Sequence, residues 1–436
     1  MNVLLLILGA YFALVALFLL CPLPYPLPTE SDYAHATFPS WHLYYFHKYL
    51  HPITRAARGS GLEEHFQNLP ALPESSQLKD VRRISITAVG DLWSQKDLTD
   101  DQSKSLWEEV GRQVFSGDIR IGNLEFVIQT TDAPKSRMVH CVSEKGGLPM
   151  TGDDRFGRFT FVSLGNNHIN DFSSEGLIQT RHYLDRLGIL HAGAGRTDPE
   201  QERFPILTRN GIKVALLSYA YTVNDLSMEE GLERGINVVR FNALKDEDYD
   251  PSLIHRDIAL ARERGADLIV CSNHWGLDFE CFPPPRLVKS AHDLIDAGVD
   301  IIVGHHPHVI NPVDIYEAKD GRKGLILYSL GNMALFSFPR AIAKMGMVAD
   351  ITVEVGIDNT GAKKVLVTAC RLMPTYLSMK TGPNRNEYRI LPLFREAERI
   401  RQGNPSPYLS TKDTRRILYL EALFRRRFVQ KNLTYM

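Results

Sequence analysis

From Arg83 onward the chain repeats one pattern: an apolar, β-favouring run that ends in glycine and then in polar side chains. Ile84–Asp91 reads ISITAVGD, Ile119–Glu125 reads IRIGNLE and Phe159–His168 reads FTFVSLGNNH. Short runs rich in branched and aromatic residues, closed by glycine, predict strands. Between them, SSEGLIQTRHYLDRLGI has helical spacing, with Leu177, Tyr183, Leu184 and Leu187 on one face. IKVALLSYA predicts a further strand. PSLIHRDIALARERGADLIVCSNHWG reads as helix, glycine stop, strand and polar tip, and PPRLVKSAHDLIDAGVDIIVGHHPH repeats that order. GLILYSLGN is one more strand. Strands alternating with helices give an α/β sheet system. ADITVEV and KKVLVTACRL look like strands with no helix between them, which argues against a purely parallel sheet.

The two ends of the chain have a different pattern. Asn2–Leu20 carries no charge and is about as long as a helix that crosses a bilayer. It lacks the positive start and the small residues of a cleaved signal peptide. The expectation is an uncleaved, single-pass anchor over residues 1–21. Residues 22–80 form a Pro- and aromatic-rich juxtamembrane segment. It opens with the stiff spacer PLPYPLP and contains WHLYYFHKYL, whose rings suit either a membrane interface or packing on the main domain. Near the other end, Arg415–Lys431 is a basic amphipathic helix within residues 401–436. Its Ile417, Leu420 and Leu423 form a packing face, and its arginines suit anionic lipid or an acidic polymer.

Composition narrows the function. In 436 residues, 50 Lys and Arg face 51 Asp and Glu, for a net charge of −1. No global basic field points to nucleic acid. The five cysteines are scattered and include no CxxC pair, which argues against a disulfide framework or a thiolate zinc site. Cys271, after DLIV, reads as a small buried hydrophobe.

Ligands of α/β sheets bind outside the strand ends, so the polar tips form one set. They are Asp91; Asn123 with Glu125; Asn166, Asn167 and His168; His274 with Trp275; His305, His306 and His308; and Ser329 with Asn332. Carboxylate, amide and imidazole together suit divalent Mn, Zn or Fe, as one ion or two. Each tip has an ordinary structural reading: Gly-Asp as a turn, Asn-Asn-His as a capped loop, His274 as a satisfied core histidine. His-His-Pro-His straight after a strand is stronger. The weight lies in the set, in which each tip directly follows an apolar run.

AVGDL, GNLE, LGNNHINDF, NHWG, GHHPHV and LYSLGN together resemble the CapA family of poly-γ-glutamate capsule synthesis proteins, from about Ile84 to Asn332. The resemblance implies a metallophosphoesterase-like four-layer α/β/β/α sandwich with two mixed sheets, spanning about residues 81–400. It also implies a membrane-anchored protein whose main domain is extracytoplasmic. Carried over by residue, it makes Asp91 and His308 ligands of a first metal, Asn167, His274 and His306 ligands of a second, and Glu125 the bridge. His168 would be the proton donor, with Asp91 at the reacting centre. His305 would be an outer-shell residue, and Asn123, Asn166, Trp275, Ser329 and Asn332 would support the site or contact substrate. Ordinary members of that fold begin with Asp-x-His. Here the stretch is Asp91-Leu92-Trp93, and an indole cannot coordinate, so the resemblance implies a weak first ion or a single one.

Three activities follow from these expectations. One is metal-dependent hydrolysis of a phosphoester, or of an acyl or peptide-type linkage, in an anionic envelope polymer such as poly-γ-glutamate or its precursor. Another is a non-catalytic polymer-binding or export subunit working with other capsule synthesis subunits. The third is metal-free, epimerase-like acid/base chemistry using Asp91 and a histidine.

Overall fold

The computed structural model describes residues 54–436, with residues 9 and 13, apart from 75, 77, 95–104, 130–140, 172, 195–202, 224–234, 244–245, 335–339 and 382–385. The anchor expected over residues 1–21, apart from residues 9 and 13, and the aromatic run Trp41–Leu50 therefore lie outside the described residues. Among the described residues, no helix is long and apolar enough to cross a membrane.

Period-two alternation lets one strand serve two cores. In β1 (Lys79–Leu92), Ile84, Ile86 and Ala88 join a core with Ile119, Phe161, Val214 and Ile269, whereas Val89 joins a second core with Leu124, Val162, Leu177 and Leu184. The first core fills the space between the two sheets and continues onto the outer face of the one carrying His274, and the second lies on the outer face of the other. The strands of the sheets are β1, β2 (Ile119–Leu124), β3 (Phe161–Ser163), β4 (Leu190–Ala192), β5 (Ile206–Arg209), β6 (Ile212–Ala220), β7 (Leu268–His274) and β8 (Ile301–His305). They continue with β9 (Val313–Glu317), β10 (Lys323–Leu327), β11 (Asn332–Ala334), β12 (Met345–Ile357), β13 (Lys363–Thr381), β14 (Asn386–Pro392) and β15 (Thr434–Tyr435).

One sheet runs β14-β13-β12-β1-β2-β3-β4, with β11 beside β1 and β15 beside β13; the other runs β9-β10-β8-β7-β6-β5. Both are mixed. β1 is parallel to β2, and β2 to β3, while β12, β13 and β14 continue the sheet in antiparallel fashion. β6, β7, β8 and β10 are parallel, and β5 and β9 are the antiparallel edges. Helices α1 (Leu62–Gln67), α2 (Ser173–Arg186), α3 (Ser252–Glu263), α4 (Pro285–Asp296), α5 (Leu393–Arg401) and α6 (Thr411–Arg427) pack against these layers. The apolar stripe of α2 lies on the outer core of the first sheet, and Ile254, Ile258, Leu287 and Ala291 of α3 and α4 join the core of the second. The result is the expected α/β/β/α sandwich.

The basic helix near the end packs rather than projects. Ile417, Leu420 and Phe424 of α6 are fully buried, each worth roughly 1.5–3 kcal/mol of apolar transfer. A Ser410/Asp413 capping box fixes its start. Just beyond it, Gln430 bonds both ends of the molecule. Its Nε2 donates to the carbonyls of Phe66 (2.7 Å) and Val313 (2.8 Å), and its Oε1 accepts from the Val313 amide (2.9 Å). Asn432 Nδ2 donates to the Leu69 carbonyl at 2.7 Å.

Candidate metal centre

The parallel strands of both sheets end at one place, and register aligns their tips. Asp91 of β1 stands opposite Asn123 of β2 on one side and Asn332 of β11 on the other. His274 of β7 stands opposite His305 of β8. Between Ala88 and Asp91 a bulge puts one more residue on β1 than on β2, which re-aims the Asp91 carboxylate. Glycine is required where backbones nearly touch. A Cβ on Gly90 would stand 2.1 Å from the Gly331 carbonyl oxygen, and one on Gly304 would stand 2.0 Å from that of Tyr328.

After Gly304 the backbone turns sharply. His306 has φ 96° and His308 φ 54°, conformations that cost a non-glycine residue on the order of 1–3 kcal/mol each. Two bonds hold the turn: the His306 amide donates to Asp91 Oδ2 at 3.2 Å, and Asn332 Nδ2 donates to the His308 carbonyl at 2.8 Å. This is how His306 and His308, only two residues apart, both reach one pocket, with ring centroids 6.0 Å apart.

The donor atoms form a chain. Asp91 Oδ2 lies 3.2 Å from His308 Nδ1, and His308 Nε2 lies 3.5 Å from Glu125 Oε1. The same Glu125 oxygen is 3.4 Å from His274 Nε2, which is 2.8 Å from Asn167 Oδ1. His306 stacks obliquely on His274 at 4.8 Å, and its Nε2 is 4.0 Å from Asp278 Oδ1. Three donor sets result: Asp91–Glu125–His308, Glu125–His274–His306 and Asp278–His306–His308. Glu125 is shared by the first two. Asp91, Glu125 and His274 are completely buried.

Electrostatics suits a cation. Burial opposes the charge on Asp91, but hydrogen bonds from His305 and His308 outweigh it and hold the carboxyl well below its usual range. Burial, and then the neighbouring His306, push His274 well below the ordinary imidazole value, so it is neutral, the form that binds metals. Buried carboxylates with neutral imidazoles and no thiolate fit a borderline divalent ion. His305 Nδ1 meets Asp91 Oδ1 at 3.0 Å, and its Nε2 is buried without a hydrogen-bond partner among the described residues.

The supporting residues divide clearly. Asn123 Nδ2 donates to Asp91 Oδ1 at 2.9 Å and approaches His274 Nδ1 at 3.3 Å, tying the two sheets together. Asn166 Nδ2 donates to the Leu124 carbonyl at 2.8 Å, and its Oδ1 accepts from the His168 amide at 3.2 Å. Asn332 Oδ1 faces His308 Nδ1 at 2.9 Å. His168 is more open than the donors, with 12% of its side chain exposed, and its Nδ1 meets Asp171 Oδ2 at 2.7 Å. Trp93 fills the space between His168 and His308, edge-on to both at 4.6 and 5.2 Å.

Two expected members stand apart. The Trp275 indole donates to the Tyr328 carbonyl at 3.0 Å and stacks on the Tyr328 ring, so it is core. Ser329 Oγ accepts from the Gly331 amide at 3.1 Å, which makes it a turn residue. Asp278 and Asp171 were not expected. Asp278 sits in the loop after the His274 tip, and Asp171 closes a tight turn that starts at His168, its amide donating to the His168 carbonyl at 3.1 Å; a carboxylate within four residues of a tip histidine is the signal both offered.

Residues 85–336 match the family model described as bacterial capsule synthesis protein PGA_cap. The capsule biosynthesis protein CapA of Bacillus anthracis is 26% identical over 276 residues, 58% of this chain and 60% of that protein. The PGA biosynthesis protein CapA of Bacillus subtilis is 27% identical over 257 residues, 57% of this chain and 62% of that one. A probable polyglutamine synthesis accessory protein of Mycobacterium tuberculosis is 31% identical over 178 residues, 39% of this chain and 44% of the other. The match spans about three fifths of the length of the two CapA proteins. Among solved structures, a hypothetical protein of Thermus thermophilus aligns with TM-score 0.36 at 13% identity, over 67% of this chain and 99% of that one.

Proposed function

The chain belongs to the bacterial capsule synthesis protein PGA_cap family, and from that premise we propose that it is a metal-dependent hydrolase acting on an anionic envelope polymer of the poly-γ-glutamate type or on its precursor. The observation that carries this reading is the donor chain from Asp91 through Glu125 to His274 and His306, buried where the two sheets end together. Asp91, Glu125 and His308 would hold one divalent ion, and Glu125, His274 and His306, with Asn167, a second. Such an ion supplies Lewis acidity and lowers the pKa of water at the scissile bond.

The chain's own groups do the rest. His168, held through Nδ1 by Asp171, gives or takes a proton at Nε2 on the open side of the pocket. Asn123 and His305 orient Asp91, and Asn332 orients His308. The rings of Trp93 and Phe279 beside His308 limit water at that end. The uncharged segment Asn2–Leu20 supports an anchored protein, and the family resemblance supports a domain outside the cytoplasm.

A second reading rests on Trp93. An indole beside His168 and His308, where the fold's hydrolases carry a ligand, favours a weakened first ion and a site that grips polymer carboxylates for export. One experiment separates the two readings. Full-length protein purified without oxygen is analysed for metal and assayed on an aryl phosphodiester and on poly-γ-glutamate. Hydrolysis that disappears together with the metal in His274→Ala/His306→Ala supports the enzyme. No turnover by the wild type, with polymer export that fails in cells carrying this double variant, defeats the enzyme and supports the grip.

A further inference from the structure

A second imidazole–carboxylate cluster lies on a different part of the molecule. Asp314, on the edge strand β9, is completely buried and receives two histidines from two other elements. His65 Nε2 of α1 lies 3.0 Å from Oδ1, and His292 Nε2 of α4 lies 2.9 Å from Oδ2. The three donor atoms lie within 4.8 Å of one another, and the two ring centroids are 6.1 Å apart. None of these residues belongs to the strand-tip centre.

The arrangement is held from outside. His292 stacks flat on Tyr316, with centroids 3.9 Å apart and planes 8° from parallel, which fixes the direction of its Nε2. Tyr328 Oη donates to Asp314 Oδ2 at 3.4 Å. Phe66, the neighbour of His65, is packed edge-on against Tyr328 at 5.7 Å and near Phe282 at 6.3 Å, so α1 has little freedom to move away. One flank remains open, since the side chains of His65 and His292 are 40% and 21% exposed. A buried anion beneath two imidazoles, open to solvent on one side, offers three donors of the kinds that bind zinc.

We propose that His65, His292 and Asp314 form a second divalent-cation site, selective for zinc, which pins α1 and the segment leading into it to the edge of the second sheet. Two nitrogens and one carboxylate oxygen favour zinc over magnesium or calcium, which prefer all-oxygen shells. Donor atoms on an ion with ~2.0 Å bonds sit roughly 3.2 Å apart. An ion here therefore needs the Nε2–Oδ separations of 3.0 and 2.9 Å to widen slightly and the two Nε2 atoms, within 4.8 Å of each other, to settle at that spacing. Burial resists the charge on Asp314, yet the bonds from His292 and His65 keep its carboxyl below the usual range, so an anion is in place to receive the cation. Because the ligands come from three elements far apart in sequence, occupancy stabilises the folded state by mass action.

The test uses full-length protein, Zn²⁺ as the ion and Co²⁺ as its visible-light probe. Wild type, His65→Ala, His292→Ala and the His274→Ala/His306→Ala variant, alone and combined with His65→Ala, are loaded and dialysed against metal-free buffer. The expected result is a loss of about one zinc equivalent with either His65→Ala or His292→Ala, and again with His65→Ala in the His274→Ala/His306→Ala background. The tetrahedral Co²⁺ absorption assigned to this site and the zinc-dependent rise in melting temperature should vanish with it. His65 is partly exposed, so its replacement leaves the core intact, and circular dichroism checks the fold. Equal zinc content and equal Co²⁺ spectra with and without His65 would overturn the proposal and leave a purely hydrogen-bonded triad.

Discussion

The two imidazole–carboxylate clusters use the same side-chain chemistry in opposite settings. At the strand tips, Asp91, Glu125 and His274 have no exposure, and the donors sit on strand ends and loops locked by register and by glycines that admit no side chain. At the sheet edge, Asp314 is equally buried, but its histidines ride on two helices and reach solvent. Depth decides what each can do. The tip cluster surrounds its donors with further polar groups and leaves His168 the most exposed of its histidines, which suits chemistry on a bound molecule. Among the described residues, the edge cluster has no acid or base beside it comparable to the His168–Asp171 pair, which suits holding rather than reacting.

The largest expected contrast comes from emptying each cluster in turn. His274→Ala/His306→Ala should remove tip metal and lower turnover by about a hundredfold or more, since even supporting residues of metal sites are worth about 10–100-fold. His65→Ala/His292→Ala should leave turnover unchanged. Equal losses from the two pairs would erase the distinction drawn here. The next effect concerns proton transfer. Asp171→Asn should reduce kcat by about 10–100-fold at unchanged metal content, because His168 loses its orienting anion. A change in metal content without a change in kcat would count against that role.

Trp93→His should produce a smaller, opposite change. A ligand placed beside His308 should raise the metal content of the tip centre and tighten the position shared by Asp91 and Glu125. Identical metal titrations of variant and wild type would show that the indole does not limit occupancy.

The smallest effect is a pH dependence at the edge in metal-free buffer. The hydrogen bond to Asp314 raises the His65 pKa above its ordinary 6.5, with burial opposing. A raised pKa stabilises the fold below the unfolded value and loses that increment as pH rises through the folded one. Asp314, whose pKa is lowered, gives up its share only in acid, below the ordinary carboxylate value. The melting-temperature gap between wild type and His65→Gln should therefore be wider near about pH 6 than near about pH 8.5. A gap that grows with pH would refute this pairing.

The α/β strands and the set of polar tips were legible in the sequence because local rules govern them; the split into two sheets and the ligand roles came from the family resemblance. Branched apolar runs closed by glycine become parallel strands, and parallel strands place Asp91, Asn123, His274 and His305 on one edge whatever lies between. Side-chain direction was not legible. Trp275 follows a tip histidine in sequence, yet its ring turns into the core towards Tyr328. Nor was distant pairing. His65 meets Asp314 across 249 positions, and each alone is an ordinary residue on a short helix or an edge strand. Asp278 falls between these cases, since its loop was identified but its approach to His306 depends on how that loop folds.

The Gln430 clasp sets an order of assembly. The Phe66 and Leu69 carbonyls find their donors on residues 430 and 432, more than three hundred and fifty positions downstream. At about 5–20 residues per second, the ribosome needs on the order of tens of seconds to make the intervening chain. The last ties of the segment through which any leader joins the domain therefore close only when nearly the whole domain has been made, after its ties to Asp314 and Tyr328 have their partners.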